Sequence, residues 1–176
     1  MNKRAFLVIF IVVIFLPFAR GLDDGLLIKI NGIYENMSGH YEINGDVSFV
    51  LKDRNIGSAE AKRYPFGNYV IVLDSNKLVD VDGVELEGML AHELAHLESY
   101  SEMSFPGFLL FAIKYGLYSD FQRETERETD MNAIDKGFGK ELLAFREYRL
   151  NTASEKEIEI LKKNYLSIEE IKALIR

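Results

Sequence analysis

The sequence predicts an α+β domain: a small antiparallel-rich sheet packed against a helix that carries two histidines and a glutamate-bearing helix, with further helices at the carboxyl end. Three observations predict it. Short β-like runs crowd between Val47 and Leu73, apolar residues recur at helical spacing from Leu86 onward, and Ser154 and Ser167 each open a helix signature near the end.

The elements follow in order. Lys3 and Arg4 precede an apolar run from Ala5 to Ala19, too short for a typical membrane span of about 20 residues. It fits a signal-peptide core, with Ala19 and Gly21 as small residues before a cleavage point at Leu22, or an uncleaved anchor. Residues 1–21 are therefore expected to be a signal peptide or membrane anchor, with the remainder secreted or held at the membrane outside the cytoplasm. Leu26, Leu27, Ile30 and Ile33 give a first helix from Leu22 to Asn36 one apolar face.

Val47–Asp53, Ser58–Tyr64 and Tyr69–Leu73 read as strands. Arg54 to Gly57 and Pro65 to Asn68 have turn chemistry between them, which suggests an antiparallel meander. Tyr69–Leu73 is the strand expected at the sheet edge beside the cleft.

A long helix is expected from Asp82 to about Ser101, with Asp82 and Glu85 as a loose capping box and Leu86, Leu90, Leu94 and Leu97 as a buried stripe. Phe105–Tyr118 is strongly apolar and carries Lys114, reading as a core helix or a helix on a membrane surface. Phe121–Phe138 reads as a charged helix ended by Gly137 and Gly139. Ser154 with Glu157 and Ser167 with Glu170 are capping boxes for two amphipathic helices. Residues 22–150 thus form the expected catalytic domain. Residues 151–176 form a helical tail that packs on it or covers its cleft.

Bulk composition removes several classes of function. The 176 residues suit one compact domain, and a net charge of −7 argues against a nucleic-acid partner. The absence of cysteine excludes disulfides, thiolate metal sites and cysteine nucleophiles. Only three histidines occur, His40, His92 and His96.

Two of those three lie in His92-Glu93-Leu94-Ala95-His96. Residues four apart on a helix stand one turn above each other, so both imidazoles reach one point. Zinc accepts nitrogen at about 2.0–2.1 Å, and the pair fits one ion without bending the helix. Glu93 lies about 100° around the helix from His92, beside the metal, where its carboxylate can take a proton from water. The leucine stripe on the other face makes ornamental histidines a poor account of the pattern.

A catalytic zinc usually keeps a third protein ligand. Ser99 and Glu102 stand where the HExxHxxGxxH pattern requires glycine and histidine, so a histidine third ligand of that kind is ruled out. His40, upstream of the strands, reads as a surface or turn residue. A downstream carboxylate remains, and Glu124, Glu126 and Glu128 all offer one.

HELAH followed by Arg123, Glu126, Glu128, Asp130 and Ala133 resembles the gluzincin clan of zinc metallopeptidases. It is similar especially to the CAAX-prenyl and heat-shock membrane endopeptidases and to the minigluzincins, over about Tyr69 to Gly139. The resemblance implies Glu126 as third zinc ligand and Asp130 as the carboxylate supporting a metal histidine. Thr129 departs from the usual alanine, and the multi-span membrane scaffold of the larger relatives is missing. Spacing favours the same glutamate: Glu126, Asp130, Ala133 and Gly137 share one helix face. Glu128, Asn132, Asp135 and Gly139 suggest a solvated face, and Met131, Ile134 and Phe138 an apolar one.

The expected function is a zinc-dependent endopeptidase acting on a polypeptide substrate, with His92, His96 and Glu126 holding the metal and Glu93 as general base. The rivals are a non-catalytic, membrane-associated interaction protein with a structural zinc, and a latent peptidase inhibited by its own tail.

Overall fold

The computed structural model describes residues 23–53, 57–78 and 80–175. The expected signal peptide or anchor at residues 1–21, and Arg54 to Ile56 of the first turn, lie outside them. In chain order the elements are α1 (Asp23–Met37), β1 (Asp46–Lys52), β2 (Ala59–Arg63), β3 (Asn68–Asp74) and α2 (Ser75–Leu78). Then come α3 (Gly83–Glu102), α4 (Phe105–Leu117), α5 (Ser119–Ala133), α6 (Gly139–Thr152), α7 (Glu155–Asn164) and α8 (Ile168–Leu174). The architecture is α+β, as the sequence predicts.

The sheet is mixed, in the order β1-β3-β2, and is not a meander. β3 runs parallel to β1, with Phe49 opposite Ile71, and antiparallel to β2, with Ala61 opposite Ile71. The reason is visible in burial. Tyr69, Ile71, Val72 and Leu73 are all buried, a nearly continuous apolar run that suits a strand covered on both faces. β1 instead alternates between exposed and half-buried positions, as an edge strand does. The expectation that Tyr69–Leu73 forms the edge is thereby corrected: it is the centre, and β2 is the edge facing the cleft.

α3 is the axis of the domain. Leu86, Leu90, Leu94 and Leu97 are fully buried against the sheet and neighbouring helices. Asp82 has the extended backbone of an N-cap, yet its side chain makes no capping bond, so the expected capping box is absent. Glu85 is part of the reason, because its Oε2 is buried elsewhere without a hydrogen-bond partner. α6 crosses α3 at Gly88, where any Cβ would stand 2.0 Å from the Glu141 carbonyl oxygen. That contact admits glycine alone and brings Arg146 and Arg149 of α6 to the cavity lined by His92 and Glu93 of α3.

α4 differs from the expected core helix. None of its residues is fully buried; Phe108 and Phe111 pack inward while Leu110, Ile113 and Leu117 are more than half exposed. α5 ends at Ala133 and a π-type turn, Ile134–Phe138, leads into α6; within it Gly137 takes φ 98°, a left-handed conformation cheap for glycine. Met131, expected in an apolar stripe, is 41% exposed, whereas Ile134 and Phe138 do pack on the core. Gly137 is exposed and Gly139 buried, the reverse of the faces expected for them. Among the described residues, no helix is long and apolar enough to cross a membrane.

Both tail helices form with their capping boxes: Ser154 N donates to Glu157, and Ser167 N donates to Glu170 while Glu170 N donates to Ser167 Oγ. Leu161, Leu166 and Ile171 enter the core, and Arg127 holds Glu170 at 2.5 Å. Losing one buried Leu or Ile typically costs about 2–5 kcal/mol against a total stability of about 5–15 kcal/mol. Truncation after Leu150 is therefore expected to abolish the cooperative thermal transition seen by circular dichroism. A truncated protein that stays folded and gains activity would instead support a latent, tail-covered form.

Candidate metal centre

α3 and α5 lie side by side and place three ligand groups together. The His92, His96 and Glu126 ligand atoms all lie within 4.8 Å of one another, and all three residues are buried. Glu126 Oε2 stands 3.1 Å from His92 Nε2 and 3.5 Å from His96 Nε2. Donors about 2.0–2.2 Å from a tetrahedral divalent ion lie roughly 3.3–3.6 Å apart; the 3.5 Å separation falls in that range and the 3.1 Å one is slightly shorter. This buried group could hold a metal ion.

The outward nitrogens are fixed as well. His92 Nδ1 donates to Asp130 Oδ1 at 2.9 Å, leaving Nε2 for the site. Thr129 Oγ1 donates to the Thr125 carbonyl at 2.8 Å and lies 3.2 Å from His96 Nδ1, which donates to it. Thr129 thus orients the second imidazole. The Tyr115 hydroxyl donates to Glu126 Oε1, turning the other carboxylate oxygen towards the histidines. Such outer partners typically matter about 10–100-fold in metal affinity or activity.

Asp130 is fully buried and carries more than one role. Besides His92 it accepts from Arg146 at 3.0 and 2.7 Å and from the Leu166 main-chain N–H at 3.0 Å. It ties α3, α5, α6 and the tail at one point. Removing one partner of a buried ion pair typically costs about 3–5 kcal/mol, because the other charge is left bare. Asp130→Ala is therefore expected to lower unfolding free energy by about that amount in urea titration. A loss below about 1 kcal/mol would mean that Arg146 finds another partner.

Electrostatics favour a cation here. Burial opposes a charge on His92, but Asp130 and Glu126 outweigh it and push the ring pKa up to about 10. Burial likewise opposes the Glu126 carboxylate, yet the two imidazoles hold it well below the usual range. Burial pushes Glu93 up. Three buried carboxylates, Glu93, Glu126 and Asp130, thus face two imidazoles and one bonded guanidinium, Arg146. A metal ion held by His92, His96 and Glu126 would add positive charge to this group.

Glu93 does not point away into the core. It lines the cleft with His92, and the Ala61 N–H of β2 reaches its carboxylate. The cleft has two ends. One, of about 410 Å³, runs past Tyr100, Phe108, Phe111 and Tyr115; the other, of about 530 Å³, runs towards Arg146 and Arg149. Tyr165, from the tail, borders both, its ring 5.6 Å from that of His92 and 4.5 Å from the Arg146 guanidinium.

The structure therefore brings His92, Glu93, His96, Glu126 and Asp130 to one place. His40 is exposed in a short 3₁₀ turn beside Phe138, outside the site. Glu124 and Glu128 are exposed. Sequence reasoning missed Tyr115, Thr129, Arg146 and Tyr165. Only Thr129 offered a signal, three positions after Glu126 on the same helix face. No family model, no curated protein and no solved structure matches the chain.

Proposed function

We propose that the protein is a zinc-dependent endopeptidase of the gluzincin type. The observation that carries this reading is a buried His92–His96–Glu126 group lining the same cleft as Glu93. Two nitrogens and one carboxylate suit zinc, and three protein ligands leave a fourth position, as catalytic sites do and structural sites do not.

β2 supplies the substrate platform. It pairs with β3 alone among the described residues, so its other edge can accept an extended polypeptide through main-chain hydrogen bonds. Zinc held by His92, His96 and Glu126 would supply Lewis acidity, polarising the scissile carbonyl and lowering the pKa of the attacking water. Glu93 takes the proton from that water and passes it to the leaving amine. Burial strengthens Glu93 as a base, and Asp130 and Thr129 hold the imidazoles still while the proton moves.

The basic and then apolar start of the chain supports export, with the catalytic part outside the cytoplasm. The test is hydrolysis of an unfolded protein by the purified chain. Activity should vanish with a chelator and return with zinc. Zinc binding without any cleavage would favour the structural-zinc reading.

A further inference from the structure

We propose that the Arg149 end of the cleft is a carboxylate-binding subsite that seats an anionic group of the polypeptide two to three residues beyond the cut. The inference rests on the peptidase reading and narrows its substrate class.

The first observation is charge. Lys77, Arg146, Arg149 and Lys156 line the 530 Å³ half of the cleft, in a chain whose net charge is −7. Arg146 is already matched by Asp130. Besides Glu93 at the inner end, Glu157 lines this half, and it is committed elsewhere: Oε1 lies 2.5 Å from Lys77 and Oε2 accepts from Ser154. Its distance to Arg149 is 3.9 Å, beyond hydrogen bonding.

The second observation is the state of Arg149 itself. Its side chain is only 13% exposed. Its Nη1 donates to a neutral acceptor, Ser58 Oγ, at 2.9 Å, and its guanidinium lies 5.9 Å from the Phe145 ring. Burying a guanidinium without a bonded carboxylate is unfavourable, and desolvation weakens its hold on the proton. A planar fork with N–H groups to spare matches a carboxylate in two-point contact, which a lysine cannot reproduce.

The third is position. Ser58 immediately precedes β2, and Ala61 is the β2 residue level with Glu93. Ser58 is therefore about 10 Å along the edge from the catalytic carboxylate, at about 3.4 Å per residue. Antiparallel pairing is the more stable sense, and a strand so paired with β2 runs its carboxyl end towards Ser58 and Arg149. The opposite end, walled by Tyr100, Phe108 and Phe111, offers aromatic surface to the residues before the cut. The carboxylate comes from an acidic side chain or from the chain terminus, and both present the same two oxygens.

Peptides alike except at one point distinguish the sources. One pair carries Glu or Gln at the third position after the cut, with an amidated end; another carries a free or an amidated end there. With the zinc-loaded full chain, the anionic member of at least one pair should have kcat/KM about tenfold higher, mainly through KM, the scale of one hydrogen bond to a charged group. Arg149→Met should bring that ratio towards one, and Arg149→Lys should restore only part of it. Ratios near one for both pairs in the wild-type protein overturn the subsite and leave the peptidase reading standing. Absence of any cleavage contradicts the peptidase reading instead. The same peptides, fluorescently labelled, then read the subsite by anisotropy: about tenfold tighter binding of an anionic member supports it, and equal binding overturns it.

Discussion

Glu93→Gln is expected to lower turnover by at least a hundredfold while the metal stays bound. Gln keeps the size and helix propensity of the residue and can still accept from the Ala61 N–H, so the cleft is preserved. What it loses is the ability to take a proton, and positioned general bases contribute about 10²–10⁴-fold. The proposed metal ligands are untouched, since Glu93 is outside the His92–His96–Glu126 group. Steady-state hydrolysis of a fluorogenic peptide, with metal content measured on the same sample, checks both halves. Near-normal turnover would remove Glu93 from the mechanism.

Glu126→Ala has the other large expected effect, loss of the metal itself. The substitution removes one of the three proposed ligands, the carboxylate that stands 3.1 Å from His92 Nε2 and 3.5 Å from His96 Nε2. It also leaves the Tyr115 hydroxyl without its acceptor. Glu124→Ala and Glu128→Ala should retain metal near one equivalent, because both side chains are exposed and turned from the site. Metal stoichiometry by emission spectroscopy after dialysis reads all three variants. Loss of metal in Glu128→Ala with retention in Glu126→Ala would move the ligand by two residues and contradict the structure.

What the sequence revealed about the site is what helices determine locally. His92 and His96 are one turn apart on α3, as Glu126 and Asp130 are on α5, and a four-residue spacing is readable without knowing how the helices meet. Beyond Thr129 and Asp130 of α5, the residues that hold this group come from elsewhere. Arg146 arrives because Gly88 lets α6 cross closely, Tyr115 because α4 folds back beside α5, and the Leu166 N–H because the tail wraps round. None of these approaches leaves a periodic signal. The sheet shows the same division: the three strands were legible as runs, while their order depends on non-local pairing. The one local clue was the continuous apolar run of β3, which marks a central strand better than an edge.

Anomalous scattering from crystals of the zinc-loaded protein, recorded on both sides of the zinc absorption edge, tests the central claim most directly. The account predicts one zinc bound by His92 Nε2, His96 Nε2 and Glu126, with the fourth position open to the cleft beside Glu93. A zinc held by four protein ligands, or bound away from α3 and α5, would contradict it.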